Sequence, residues 1–234
     1  MYYILCLIAM IVASAVVIVF MPKFKNVKLT NLIFVLTIFV LYIVSVIIQY
    51  FKVGFYDWNF QNSLPTANVS PFMFFVVLPL YFLLPQKPKR YFLLLVALLS
   101  VGMFLSPTLS CVFNACRNYK FHFQFVLGYV AHFALFLWGI YIIKTNQTEL
   151  KVKDSAISGS LIVGVAIVMM ILNIIFDTTF FGLNLNGKHS IYNMVLVSNS
   201  YLSAFLYFAG LVVVLVLGFC FHKLINLKRN RAEK

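Results

Sequence analysis

The sequence predicts an all-α polytopic membrane protein, a bundle of about seven transmembrane helices. Three observations carry this. Hydrophobic residues make up 63% of the 234-residue chain and charged residues only 10%, and mean hydropathy is +1.00. A soluble chain of this size leaves too much of its surface wet to hide that much apolar material. The apolar residues also fall in runs close to the roughly 20 residues that a helix needs to cross a bilayer. These runs are continuous rather than alternating, which argues against a transmembrane β-barrel.

The first run covers residues 2–21. "ASA" (Ala13 to Ala15) has the look of a signal-peptide cleavage site, but no basic residue precedes the apolar stretch and cations follow it. That predicts a retained helix with its N-terminus outside. The second run covers 30–51. The third and fourth, 70–85 and 90–106, are short. "LPQKPKR" (Leu84 to Arg90) separates them, because its prolines break helix and its cations reject hydrocarbon. An outer loop, Ser106 to Phe123, leads to a fifth run at 123–143. The sixth and seventh follow at 156–176 and 198–222. Residues 1–222 thus read as one transmembrane domain and 223–234 as a basic cytoplasmic tail.

Orientation follows from Lys and Arg, which are enriched in cytoplasmic loops. Of the 18 in the chain, Lys52, Arg117, Lys120 and Lys188 fall on one side. All the others fall in the loops after the first, third and fifth runs and in the tail. The N-terminus is therefore expected outside and the C-terminus inside. The same distribution accounts for the net charge of +13: helix-end cations fix topology and meet anionic headgroups, and no nucleic-acid partner is implied. Membrane lipids are the expected partners. Exposed helix faces leave homo- or hetero-association open. The membrane expected is a cell membrane, the bacterial plasma membrane.

Polar side chains are costly within a bilayer and usually face a partner or a cavity. Here they are expected in the outer half: Gln49, Asn68, Ser70, His132, Asn173, Asp177, Ser198, Asn199 and Ser203. The inner ends read as carrying cations and little else. His132, in "FQFVLGYVAHFALFLWGIYIIK" (Phe123 to Lys144), lies roughly 13 Å below the outer end of its helix at 1.5 Å per residue. That is too deep for simple snorkelling. A buried imidazole wants partners for one donor and one acceptor, either as a cross-helix bond or as a catalytic base. Asp177 is placed to orient it if the fifth and sixth helices pack side by side, or else stands as a boundary residue. Asn68, Asn173, Asn199 and Ser203 are the candidate ligand-binding residues of an outer polar pocket.

Cys111 and Cys116 sit in the expected outer loop, where a short disulfide or two free thiols are the alternatives. Cys6 and Cys220 read as apolar packers. No Cys/His cluster has zinc spacing, no Gly-rich phosphate cradle is present, and the seventh run has no lysine for a retinal Schiff base. No metal or cofactor is expected.

Three segments carry a resemblance: "SLPTANVSP" (Ser63 to Pro71), "GYVAHF" (Gly128 to Phe133) and "LNIIFDTTFF" (Leu172 to Phe181). In this layout the chain resembles the bacterial YwaF-type integral membrane proteins, which are similar to the animal TMEM164 proteins, over about residues 30–215. The resemblance implies a lipid acyltransferase working through a Cys and a His. The family places a His and a Cys shortly after the Leu-Pro, whereas the matching positions here are Thr66, Ala67, Asn68 and Val69. Ser70 is the nearest hydroxyl. The resemblance therefore implies His132 as base, with Ser70 or Cys111 in place of the family's nucleophile. The competing readings are a protein that binds or transports a lipid or small hydrophobic molecule in the same pocket, and a subunit with no site of its own.

Overall fold

The computed structural model describes residues 2–53, 69–74, 78–116, 123–176 and 200–232. In chain order the helices are α1 (Tyr2–Phe20), α2 (Val27–Val53), α3 (Val69–Phe72), α4 (Leu78–Leu83), α5 (Gln86–Cys116), α6 (Phe123–Lys144), α7 (Val152–Phe176) and α8 (Ser200–Ala232). Among the described residues there is no strand, and six helices are long and apolar enough to cross a membrane. The chain is a polytopic helical membrane protein.

The central pair is α5 and α6. In each, 61% of the most apolar window is buried, against 22% for α1, α2, α7 and α8. The outer four accordingly turn apolar side chains such as Leu5, Leu36, Val168 and Val213 outward, as lipid-facing helices do. α2 packs on α6, α7 and α8 pack on α5, and α1 touches both central helices. The core is built from Leu94, Leu98, Leu99, Leu135, Trp138, Tyr141 and their neighbours. α5 and α8 approach closely because Gly218 lies against the Leu98 carbonyl, where a Cβ would collide with the backbone.

Local chemistry sets the helix ends. Asn26 Oδ1 accepts from the Leu29 amide at 3.1 Å and caps α2. α6 ends in a Schellman turn: Asn146 takes φ 53°, and the amides of Asn146 and Gln147 return to Ile143 O (3.2 Å) and Ile142 O (3.1 Å). Asp154, in the first turn of α7, pairs with Arg90 at 3.2 Å.

These turns gather at one end of the bundle. Tyr141 Oη donates to Phe24 O at 3.2 Å, Asn31 Nδ2 donates to Gln147 Oε1 at 2.6 Å, and Thr148 Oγ1 donates to Arg90 O at 3.2 Å. Three of the cation-rich connections therefore meet on one side, as the charge pattern requires.

Within the third run, the chain widens to a π turn at Met73 and Phe74 after α3. The structure departs from the sequence expectations in three places. The loop expected at 106–123 is helical as far as Cys116, and α5 passes straight through Pro107. Stopping there would leave backbone carbonyls unsatisfied in hydrocarbon, so continuing the helix costs less. The tail continues α8 as far as Ala232. Finally, the cation-rich end is not otherwise apolar. Asn31, only 2% exposed, accepts from Trp138 Nε1 at 2.9 Å and shares a two-way amide pair with Gln147, whose Nε2 also donates to Thr145 Oγ1 at 2.7 Å.

Candidate functional site

α6 carries His132, and its own preceding turn orients the ring. Gly128 O lies 2.7 Å from Nδ1. A carbonyl can only accept, so Nδ1 carries the proton and Nε2 of the neutral ring is left as an acceptor. Ser70 Oγ lies 2.9 Å from Nε2. The same hydroxyl is 3.8 Å from Met103 Sδ, but the imidazole nitrogen is much the stronger acceptor. Ser70 therefore donates to His132.

The short α3 and its π turn make this approach. Ser70 and Phe74 are four residues apart. The first brings its hydroxyl to Nε2, while the second sets its ring edge-on to the imidazole at 5.1 Å and 80°. Phe74, wholly buried, is itself stacked on Tyr42 of α2 at 4.3 Å. The imidazole is thus held on three sides: by a carbonyl, a hydroxyl and an aromatic ring.

Ser70 also borders a cavity of about 260 Å³ between α3, α5 and α8. Ser70, Ser106 and Tyr207 bring hydroxyl groups to its lining, and Leu99, Leu211 and Val214 are among its apolar residues. Gly102 and Gly210 form part of its sides. The chemistry available is that of a hydroxyl activated by a neutral, oriented base at the mouth of an apolar space.

Of the residues expected in the site, the structure joins Ser70 and His132. Asn173 is buried on α7, 2% exposed. Ser203 lies on α8, with its side chain outside the described residues. Asn68, Asp177 and Asn199 lie outside them altogether. The orienting place expected for Asp177 is occupied by Gly128 O, and α7 packs chiefly on α5 and α8 rather than on α6.

The disulfide alternative is corrected, because Cys111 and Cys116 are both free. Five residues along one helix separates two side chains by about 7.5 Å of rise and about 140° of rotation, beyond the reach of a disulfide. Cys111 is instead buried in a second apolar cluster with Tyr3, Leu7, Met10 and Phe133.

Sequence reasoning missed a second buried histidine. His222, the last residue of the expected seventh run, is 0% exposed, and its Nε2 lies 2.8 Å from Ala97 O and 3.1 Å from Ser100 Oγ. Ser100 Oγ donates to that same carbonyl at 2.6 Å, so its proton is already committed. This pair ties α8 to α5 and is not a second nucleophile and base. The four-residue step from Gly218, itself against Leu98, was the available signal for its burial.

Fold and site together define a polytopic helical membrane protein with a serine–histidine pair inside its bundle. The sequence profile of the TMEM164 family matches residues 1–225, and the chain belongs to that family. No curated protein and no solved structure matches it.

Proposed function

We propose that this protein is an acyltransferase acting on membrane lipids from the outer half of a bacterial plasma membrane, with Ser70 as nucleophile and His132 as base. The observation that carries the reading is the 2.9 Å contact from Ser70 Oγ to His132 Nε2 at the edge of an apolar cavity. A serine hydroxyl is a weak nucleophile until a neighbouring base takes its proton, and that base must itself be oriented. The Gly128 carbonyl does this at Nδ1, where a carboxylate often stands. Membership of the TMEM164 family adds support, since the resemblance implies acyl transfer, with Ser70 the hydroxyl nearest the positions that match the family's cysteine.

The reaction runs in two halves. Ser70 Oγ attacks the carbonyl carbon of an ester-linked acyl chain while His132 Nε2 takes the hydroxyl proton. The C–O bond to the lipid alcohol breaks, and His132 returns the proton to the departing oxygen. An acceptor alcohol then gives its proton to His132, attacks the acyl-serine and leaves with the chain, and Ser70 regains its proton.

The test is acyl transfer from an isotope-labelled phospholipid to a lysophospholipid by the purified chain. Transfer is expected in the parent and lost in Ser70→Ala. A protein that only binds lipid would transfer nothing in either form, and full activity in Ser70→Ala would refute the role given to Ser70.

A further inference from the structure

The cavity beside Ser70 has a direction. Its described wall on α5 runs from Ser106 to Leu99 and its wall on α8 from Tyr207 to Val214. On α8 the seven-residue step from Tyr207 to Val214 rises about 10 Å, and Val214 stands beside Gly102 of α5. The hydroxyl groups come from Ser70, Ser106 and Tyr207, and the opposite ends of the two walls, Leu99 and Val214, are apolar. A ligand with a polar far end would bury that group unpaired, which disfavours binding. The slot fits an unbranched hydrocarbon chain whose polar head lies at Ser70.

The floor and one side are built by particular residues. Beyond Val214, Gly218 lies against the Leu98 carbonyl, so α5 and α8 close on each other below the slot. Val214 Cγ1 would stand 2.8 Å from a Cβ on Gly102, so Val214 occupies the space that the glycine leaves. Gly210 is different: a Cβ there meets nothing within 4 Å. Gly210 borders the cavity and is exposed, so helix packing does not require its missing side chain.

We infer that the slot is an acyl-chain ruler, in which the chain lies along α5 and α8 with its carbonyl at Ser70, Val214 stops its methyl end, and Gly210 keeps its path open. This rests on the acyl-transfer reading for its catalytic meaning, but chain binding is measurable without turnover.

The test is competition among straight-chain fatty acids, from octanoate to stearate, for the purified full-length protein, with occupancy read by native mass spectrometry and folding read by thermal unfolding. Wild type is expected to prefer one length and to reject longer chains. Gly210→Val should cut occupancy by that preferred length about tenfold, the effect of mild overpacking, and move the preference to shorter chains. Val214→Ala should move it to longer chains.

Equal occupancy by all lengths in wild type would overturn the ruler. So would an unshifted preference in folded Gly210→Val, and if that variant does not fold, the Val214→Ala result decides alone. A length preference without any acyl transfer would leave the ruler standing and sink the enzymatic reading. Transfer without a length preference would do the reverse.

Discussion

His132→Ala separates structural from chemical work at the site. The substitution removes contacts to Gly128 O and Ser70 Oγ and an edge-on ring contact with Phe74. Hydrogen bonds within membrane bundles average about 0.6 kcal/mol, with a maximum of about 1.7, and an aromatic pair adds about 0.5–1.5. Neither partner is stranded by the loss. Gly128 O remains an acceptor within α6, and the Ser70 hydroxyl has Met103 Sδ within 3.8 Å. The expected stability loss is therefore about 2 kcal/mol, from summing those contributions. Removing a general base costs about 10²–10⁴-fold in rate, or roughly 3–5 kcal/mol in the barrier. The two effects differ enough to be measured side by side, as thermal unfolding in detergent and as the acyl-transfer rate at a temperature where both proteins are folded. A rate that falls tenfold or less in folded His132→Ala would refute the assignment of His132 as base.

Three further outcomes follow from the packing. Gly218→Ala should lower the unfolding midpoint, because the added Cβ meets the Leu98 backbone, and overpacking of this kind costs about 1–3 kcal/mol; an unchanged midpoint would show that α5 and α8 are not so close. Asn31→Leu should destabilise by about 1–3 kcal/mol by orphaning Trp138 Nε1 and Gln147 Oε1, whereas Trp138→Phe should cost less because Asn31 keeps Gln147; thermal unfolding of both variants ranks them. Alkylation of the unreduced, denatured protein followed by mass spectrometry should find Cys111 and Cys116 both as free thiols, and a mass two hydrogens lower on the peptide containing both would contradict the helix that separates them.

Much of the architecture was legible because the bilayer imposes it. Continuous apolar runs and the distribution of Lys and Arg are direct consequences of burial in hydrocarbon, and they placed α1, α2, α6, α7 and the start of α8 to within a few residues. The end of α5 was not legible. Pro107 and the polar residues after it read as a loop, while the cost of unsatisfied carbonyls in the membrane keeps the helix going. Ser70 and His132 were legible as a pair through the depth of the histidine and the motif around residues 63–71. The remaining partners were not. A backbone carbonyl leaves no mark in the sequence, so the contact from Gly128 O to His132 was invisible. The cavity wall was equally hidden, since Gly210, Leu211 and Val214 look like any other residues of an apolar helix. His222 and Asn31 were passed over because they stand next to cations, where polar residues normally face water.

The most direct test of the central claim is intact-protein and peptide mass spectrometry of the chain after brief mixing with a phospholipid ester donor in the absence of an acceptor. The expected result is one added acyl group on the peptide containing Ser70, removed when a lysophospholipid is supplied and absent in Ser70→Ala. An acyl group on Cys111, or transfer that proceeds at the parent rate in Ser70→Ala, would contradict the assignment of Ser70 as nucleophile.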